Sequence, residues 1–514
     1  MKKLLIALVL VVSPVAAATR YAGPSGSGST CSLASPCTPA TCVSGMADND
    51  TCILLNGTYT NPATIATGRS CTTRCYVQAE TTGSVIINKT SGDAVSLSSG
   101  ENNWTIQGLV VNNAGSGKGY VASGVSGLRL TDNSYFPTYN VITGEGIYAQ
   151  GGSDIIVTNY TARHDTVCNN QTTAPCTGSG GPDDCDFWND GGALFNIGGG
   201  YTDVIVQDSH MGYFRNTGRL GNITNLTLRR NTFSNCVNHG CAEIDDSVNV
   251  LVENNIMNMD RSGACSDSYN GGDFLDTYCW KDVTIRNNTL VAHGTGPNTF
   301  IYHFRSPRSE CNDGVGPENM DPAGSAQYMN EKVYNNIIYH GGTSGSPSKA
   351  SPFIACLGNQ DDNFDQSPTG QYQENYNILA SCGSDRVGYA NDNNGPLTWA
   401  QWRAWNFNGV AAEANGTNSA PTFVSYTNGG LFGANDNLRL ALGSVGINAG
   451  VSTGTVGTND FTQGLYPCPA TDFDGNPRND GQCDIGAFEY QTSTPLTSPR
   501  TPTTGGTLGS GVIR

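Results

Sequence analysis

VLVENNIM (250–257), VTIRNNTL (283–290) and EKVYNNII (331–338) are three statements of one pattern: a short apolar strand, a polar pair containing Asn, and a second apolar strand. The pattern also runs through TIQGLVVNN (105–113), LRLTDNSYF (128–136), IIVTNYTA (155–162), VIVQDSHM (204–211) and LTLRRNTF (226–233). With the polar pair as marker, positions 108, 132, 159, 208, 230, 254, 287 and 335 lie 24, 27, 49, 22, 24, 33 and 48 residues apart. The basic step is therefore 22 to 27 residues, and the long gaps read either as two coils or as one coil with an inserted loop. A unit this small cannot bury its own apolar face, so neighbours must stack into a solenoid. Strands at this period, with no run of helical period, predict an all-β parallel β-helix. The leucine-rich repeat shares the period, but its L-x-x-L-x-L-x-x-N pattern is missing.

Composition agrees with short strands and tight turns: the chain is only 13% charged and holds 65 glycines. It opens with Lys2 and Lys3, an apolar run from Leu4 to Val12 and small residues Ala16 to Ala18, the order of a bacterial-type secretory signal peptide, read as residues 1–18. The apolar run is too short to span a bilayer. A secreted or periplasmic protein without membrane insertion is expected. The 18 cysteines, none in a C-x-x-C spacing, then read as disulfides rather than metal thiolates. Close pairs such as Cys31/Cys37, Cys42/Cys52, Cys71/Cys75, Cys236/Cys241 and Cys265/Cys279 look like loop staples. A formal net charge of −17 argues against nucleic acid as a partner. A polyanionic substrate would need a locally basic groove or a bridging cation.

The repeat resembles that of secreted right-handed parallel β-helix proteins, the superfamily sharing a pectate-lyase-like fold. The N-terminal RYAGPSGSGSTCSLASPCTPATCVSGMADNDTCILLNGTYT resembles their opening, and SVGINAGVSTG with DFDGNPRNDGQCDIGAFEY (472–490) their terminal segment. Together these stretches imply a right-handed parallel β-helix solenoid with disulfide-stapled loop insertions. An N-terminal cap and first coils are expected over 19–100, a regular solenoid over 101–345, a less regular part over 346–490 and a Pro/Thr/Gly-rich tail over 491–514. The resemblance does not choose a reaction, because the scaffold hosts lyases, hydrolases, epimerases and binding proteins.

A site on such a scaffold is assembled from matching positions of successive coils, about 4.8 Å apart. In AEID (242–245) small or apolar residues alternate with acidic ones, so Ile244 turns inward and Glu243 and Asp245 share the outer face. Their Cβ atoms lie roughly 6.6 Å apart, which suits a general acid and base across a glycosidic bond and equally suits calcium ligation. Registration by the markers sets Arg219 opposite Glu243 and Gly221 opposite Asp245. Asp273 and Asp276 come near the same ladder, and His303 and Arg305 share a face of the next strand. Arg215, His210 and His239 read as turn residues close by.

Three long loops, Cys168 to Gly192, Cys265 to Cys279 and Pro307 to Ala326, interrupt this section. They are candidate groove walls, with Trp188, Tyr269 and Tyr278 placed to stack on sugar rings. The acidic run Asp183, Asp184, Asp186 and Asp190 could bind calcium, but it lacks the D-x-[DN]-x-[DN]-G loop and reads more readily as a solvated loop.

The expectation is an exported carbohydrate-active protein that cleaves a polysaccharide in this groove. Glu243, Asp245, Asp276, His303 and Arg305 are the catalytic candidates, and Arg219, Arg215, His239, Trp188, Tyr269 and Tyr278 bind substrate. As a lyase it would use His303 or Arg305 as base, with calcium held by Asp273, Glu243 and Asp245. As a glycoside hydrolase it would use Glu243 and Asp245, or one of them with Asp276, as acid and base. The rival is a non-catalytic glycan-binding or adhesive surface protein.

Overall fold

The computed structural model describes residues 17–113, 117–137, 145–163, 193–212, 216–234, 241–261, 272–273, 275–278, 281–294, 299–300, 303–305, 329–340, 357–359, 372–381, 387–389, 396–407, 410–426, 436–451, 468–478 and 482–491. They form a right-handed parallel β-helix. Two long sheets, of 20 and 11 strands among the described residues, run along it and pair in parallel from coil to coil, apart from the antiparallel pairing of Gly388–Tyr389 with Pro396–Leu397.

The coil that carries the candidate site is typical. Its strands are Ala242–Asp245, Val248–Glu253 and Ile256–Arg261, the third lying in the second sheet. Inward positions along the long strands are apolar: Leu226, Val250 and Val283 stack on one another, as do Leu228, Val252 and Ile285, all essentially inaccessible. Parallel strands are joined only by chain that leaves and re-enters the sheet. The 49-, 33- and 48-residue gaps are each one coil with an insertion, because Thr161 pairs directly with His210, Ile256 with Thr289, and Thr289 with Ile337.

The NN refrain is a turn with two jobs. Its first residue sits in the left-handed region, at φ 54° for Asn254, 53° for Asn287 and 58° for Asn335, which Asn tolerates better than most side chains. Its second residue points inward and forms an amide ladder. Asn231, Asn255, Asn288 and Asn336 each donate backbone N–H and side-chain Nδ2 to the Oδ1 of the next coil's Asn, at 2.9–3.1 Å. Side-chain Nδ2 groups also reach carbonyls such as Leu228 O and Val252 O, so buried backbone that the turn takes out of the sheet is satisfied.

The ladder ends on a carboxyl: Asn377 gives its N–H to Glu413 Oε2 at 3.0 Å and its Nδ2 to Glu413 Oε1. Glu413 is fully buried. Burial pushes its carboxyl up to about 7, against the pull of the Asn377 donors and of Arg403.

The first asparagines of the refrain hold the C-terminal segment. Asn254 Nδ2 donates to Thr471 O at 2.8 Å, Asn287 Nδ2 to Asp484 O at 3.0 Å and Asn335 Nδ2 to Val451 O at 3.0 Å. A buried Arg478–Glu489 pair at 2.8 Å and the Cys468–Cys483 disulfide stiffen this strap. Cys31–Cys37, Cys42–Cys52 and Cys71–Cys75 are joined as the spacing predicts. Cys236, Cys265 and Cys279 lie outside the described residues. No described helix is long and apolar enough to cross a membrane.

Candidate functional site

Strand Ala242–Asp245 buries Ala242 and Ile244 and leaves Glu243 and Asp245 half-buried, which is the alternation its sequence predicts. Glu243 pairs with Arg219 on one side and Asp276 on the other, and Asp276 pairs with His303. Asp245 pairs with Gly221 and Tyr278, and Tyr278 with Arg305. Two neighbouring columns thus read Arg219, Glu243, Asp276, His303 and Gly221, Asp245, Tyr278, Arg305.

Asp273 is not in these columns: Gly272–Asp273 pairs with Thr299–Phe300 in a separate two-stranded sheet. His210 belongs to a strand of the second sheet, where its Nε2 meets Ser234 Oγ at 2.8 Å, rather than to a turn beside the groove. Arg215, His239, Trp188 and Tyr269 lie outside the described residues.

The charges around Glu243 differ from those of the scaffold. Among the described residues, other ion pairs between adjacent coils are closed: Arg129–Asp154 at 2.7 Å, Arg230–Asp208 at 2.8 Å and Arg286–Glu253 at 2.6 Å. Arg219 Nε stands 3.7 Å from Glu243 Oε1, and its side chain is 57% exposed while that of Glu243 is 13% exposed. An exposed pair this loose adds little stability, and its guanidinium keeps donors turned to solvent.

Beyond Arg219 the columns continue through Asn196 to Tyr148 and through Gly198 to Gln150. Here the side chains are engaged with one another. Asn196 donates to Glu145 Oε1 at 2.8 Å and accepts from Gln150 Nε2 at 3.2 Å, while Lys118 Nζ meets Glu145 at 2.6 Å and covers the Tyr148 ring. No motif in the sequence marks this cluster; only counting the register back from Glu243 finds it. The same holds for Gly198, part of the Gly198–Gly200 run, which forms a bulge where the register against Gln150–Gly152 shifts.

Calcium takes six to eight oxygen ligands. The trio expected to hold it is not gathered in one column, since Asp273 sits in another sheet and a guanidinium stands beside Glu243. The grouping of Asp48 with Cys71 and Cys75 offers no thiolates, because the two cysteines are joined to each other.

No family model matches the chain, and no curated protein does. Among solved structures it is similar to the pectate lyase Pel9A at 12% identity and TM-score 0.41, over 93% of this chain and 98% of that one. It is also similar to a lacto-N-biosidase from Eubacterium ramulus, at 10% identity and TM-score 0.44 over 73% of this chain and 67% of that one. A third is PfbA, a surface adhesin of Streptococcus pneumoniae, at 9% identity and TM-score 0.41 over 66% and 78%. At such distances the likeness carries no argument about this chain's chemistry. The chain's own strand order and ladders give it the parallel β-helix fold.

Proposed function

We propose that the chain is an exported protein that binds a polysaccharide along the Arg219–His303 column and cleaves it there. One observation carries the reading: acid, base and guanidinium types fall on successive coils of one sheet, and the Arg219–Glu243 pair is held open where scaffold pairs are closed. The route best supported is hydrolysis. Glu243 and Asp245 stand two residues apart on one strand, about 6.6 Å, a separation that leaves room for a water between acid and base. One carboxyl protonates the leaving glycosidic oxygen, and the other takes a proton from water as its oxygen bonds to the anomeric carbon. Asp276, one coil from Glu243, is about 4.8 Å away at the backbone and offers the closer spacing of a covalent route.

A second reading, β-elimination from a uronate, is favoured by His303 lying next to Asp276 in register, where a carboxylate would orient an imidazole base.

The purified protein is to be incubated with uronic-acid and neutral polysaccharides, with and without calcium. New reducing ends without an unsaturated product indicate hydrolysis, and an ultraviolet-absorbing unsaturated uronate indicates elimination. Glu243→Gln and Asp245→Asn are each expected to lower the rate by about 100-fold or more. Full activity in both variants sinks the site. Binding with no new ends on any polymer leaves a glycan-binding solenoid without catalysis.

A further inference from the structure

Two outer positions beside the carboxylates carry no side chain, and the reasons differ. A Cβ on Gly198 would come 2.4 Å from the carbonyl oxygen of Gly221, so close strand packing requires that glycine. A Cβ on Gly221 would meet only Asp245 Cβ, at an ordinary 3.7 Å, and Gly221 is not among the residues with positive φ. The fold leaves room for a side chain at 221, and the sequence has none.

From Gln150 to Asp245 the second column therefore crosses bare backbone for three coil spacings, about 14 Å. Asn196 and Arg219 run alongside in the first column. Asn196 is fixed between Glu145 and Gln150 and forms a rigid edge. Arg219 is 57% exposed and can only donate, in a planar fork that matches an oxyanion. On a chain of net charge −17 an anionic polymer gains attraction only where such a cation is presented.

We infer that Gly198 and Gly221 floor a sugar subsite abutting Glu243 and Asp245, and that it takes an acidic sugar unit whose oxyanion, carboxylate or sulfate ester, is bound by Arg219. This rests on the polysaccharide-groove reading and adds the class of sugar. Gly221 is the specificity-determining position, because any side chain there fills the space the ring occupies.

The test is calorimetric titration of the full-length protein with carboxylated, sulfated and neutral oligosaccharides of equal length, alongside melting curves. Gly221→Val is expected to melt with the parent protein and to bind the acidic oligosaccharide at least about tenfold more weakly, because displacing the ring carries its oxyanion off Arg219. Gly221→Ala, should the valine perturb folding, is expected to weaken binding less and leave melting unchanged. Arg219→Gln is expected to lose the preference for acidic over neutral ligands, and the preferred acidic arm of the parent protein tells carboxylate from sulfate. A Gly221→Val or Gly221→Ala protein that melts normally and binds as the parent does overturns the subsite alone, provided Glu243→Gln still abolishes cleavage. Equal losses for acidic and neutral ligands in Arg219→Gln overturn the acidic-sugar assignment. No binding of any arm by the parent protein overturns the subsite and the groove reading together.

Discussion

Replacing Glu413 by Gln removes the only ionisable group on which the described amide ladder ends, and the structure sets both the size and the sign of the effect. Glu413 accepts two hydrogen bonds from Asn377 with no solvent exposure, and its carboxyl is raised from 4.5 to about 7 by burial. At 1.36 kcal/mol per unit this is about 3 kcal/mol of linked stability. Below pH 4.5 the proton is bound in both folded and unfolded chains, and the contribution is fully present. As pH rises towards 7 the unfolded chain releases its proton while the folded one retains it, so unfolding is progressively favoured; above 7 the loss is complete. Glutamine has no proton to lose, and its NH2 confronts one of the two Asn377 donors, which costs about 1–3 kcal/mol at every pH. Other carboxylates titrate in both proteins, so the informative quantity is the difference between them. Urea unfolding from pH 4.5 to 8, followed by tryptophan fluorescence, suits the site because three of the chain's six tryptophans are Trp399, Trp402 and Trp405, with Arg403 of the same segment acting on Glu413. The advantage of the parent protein over Glu413→Gln should shrink by about 3 kcal/mol across that range. A difference that stays flat refutes the idea that Glu413 holds a proton at the ladder's end.

Asn288→Ala, in mid-ladder, strands the N–H and Nδ2 of Asn255 and one bond to Asn336 Oδ1. Denaturant unfolding should show a loss of about 3 kcal/mol or more, and a loss under about 1 kcal/mol would mean that water replaces the amide. The paired change Cys468→Ser with Cys483→Ser opens a loop of sequence separation 15 and should cost about 3 kcal/mol. That loss should appear first as faster proteolysis of the terminal segment, and unchanged protection there would show that the asparagine contacts suffice. Gly416→Ala places a methyl against the Glu413 carboxylate and within 2.9 Å of Asn377 O; a melting temperature equal to the parent's would contradict the close packing around the cap.

The repeat announces the solenoid because each coil's inward positions must be apolar at fixed spacing, and this is a local rule that survives reading one segment at a time. The same spacing sets Arg219 and Gly221 against Glu243 and Asp245, and the strand pairing has them so. What local pattern could not carry is long-range. Glu413 lies 36 positions past Asn377 with no repeat to lead to it. Asp273, three residues from Asp276, belongs to another sheet, because an insertion breaks the count that registration depends on. The doubled asparagine looked like one turn signal, whereas its two members answer to different partners, one in the next coil and one more than a hundred residues away.

That last separation bears on the order in which the molecule can be completed. Asn254 waits for Thr471 and Arg478, 217 and 224 residues later in the chain, and Asn287 waits for Asp484, 197 later. Synthesis runs from the N-terminus, so the early coils can stack as they emerge, while the coil bearing Glu243 and Asp245 stays unclasped until Thr471 and Arg478 have appeared. A nascent or C-terminally clipped chain would have its groove columns in place before their backing is secured. Full clasping of the candidate coil therefore requires the 471–484 segment, and loss of that tether is a change that a cleft far from it in sequence would register.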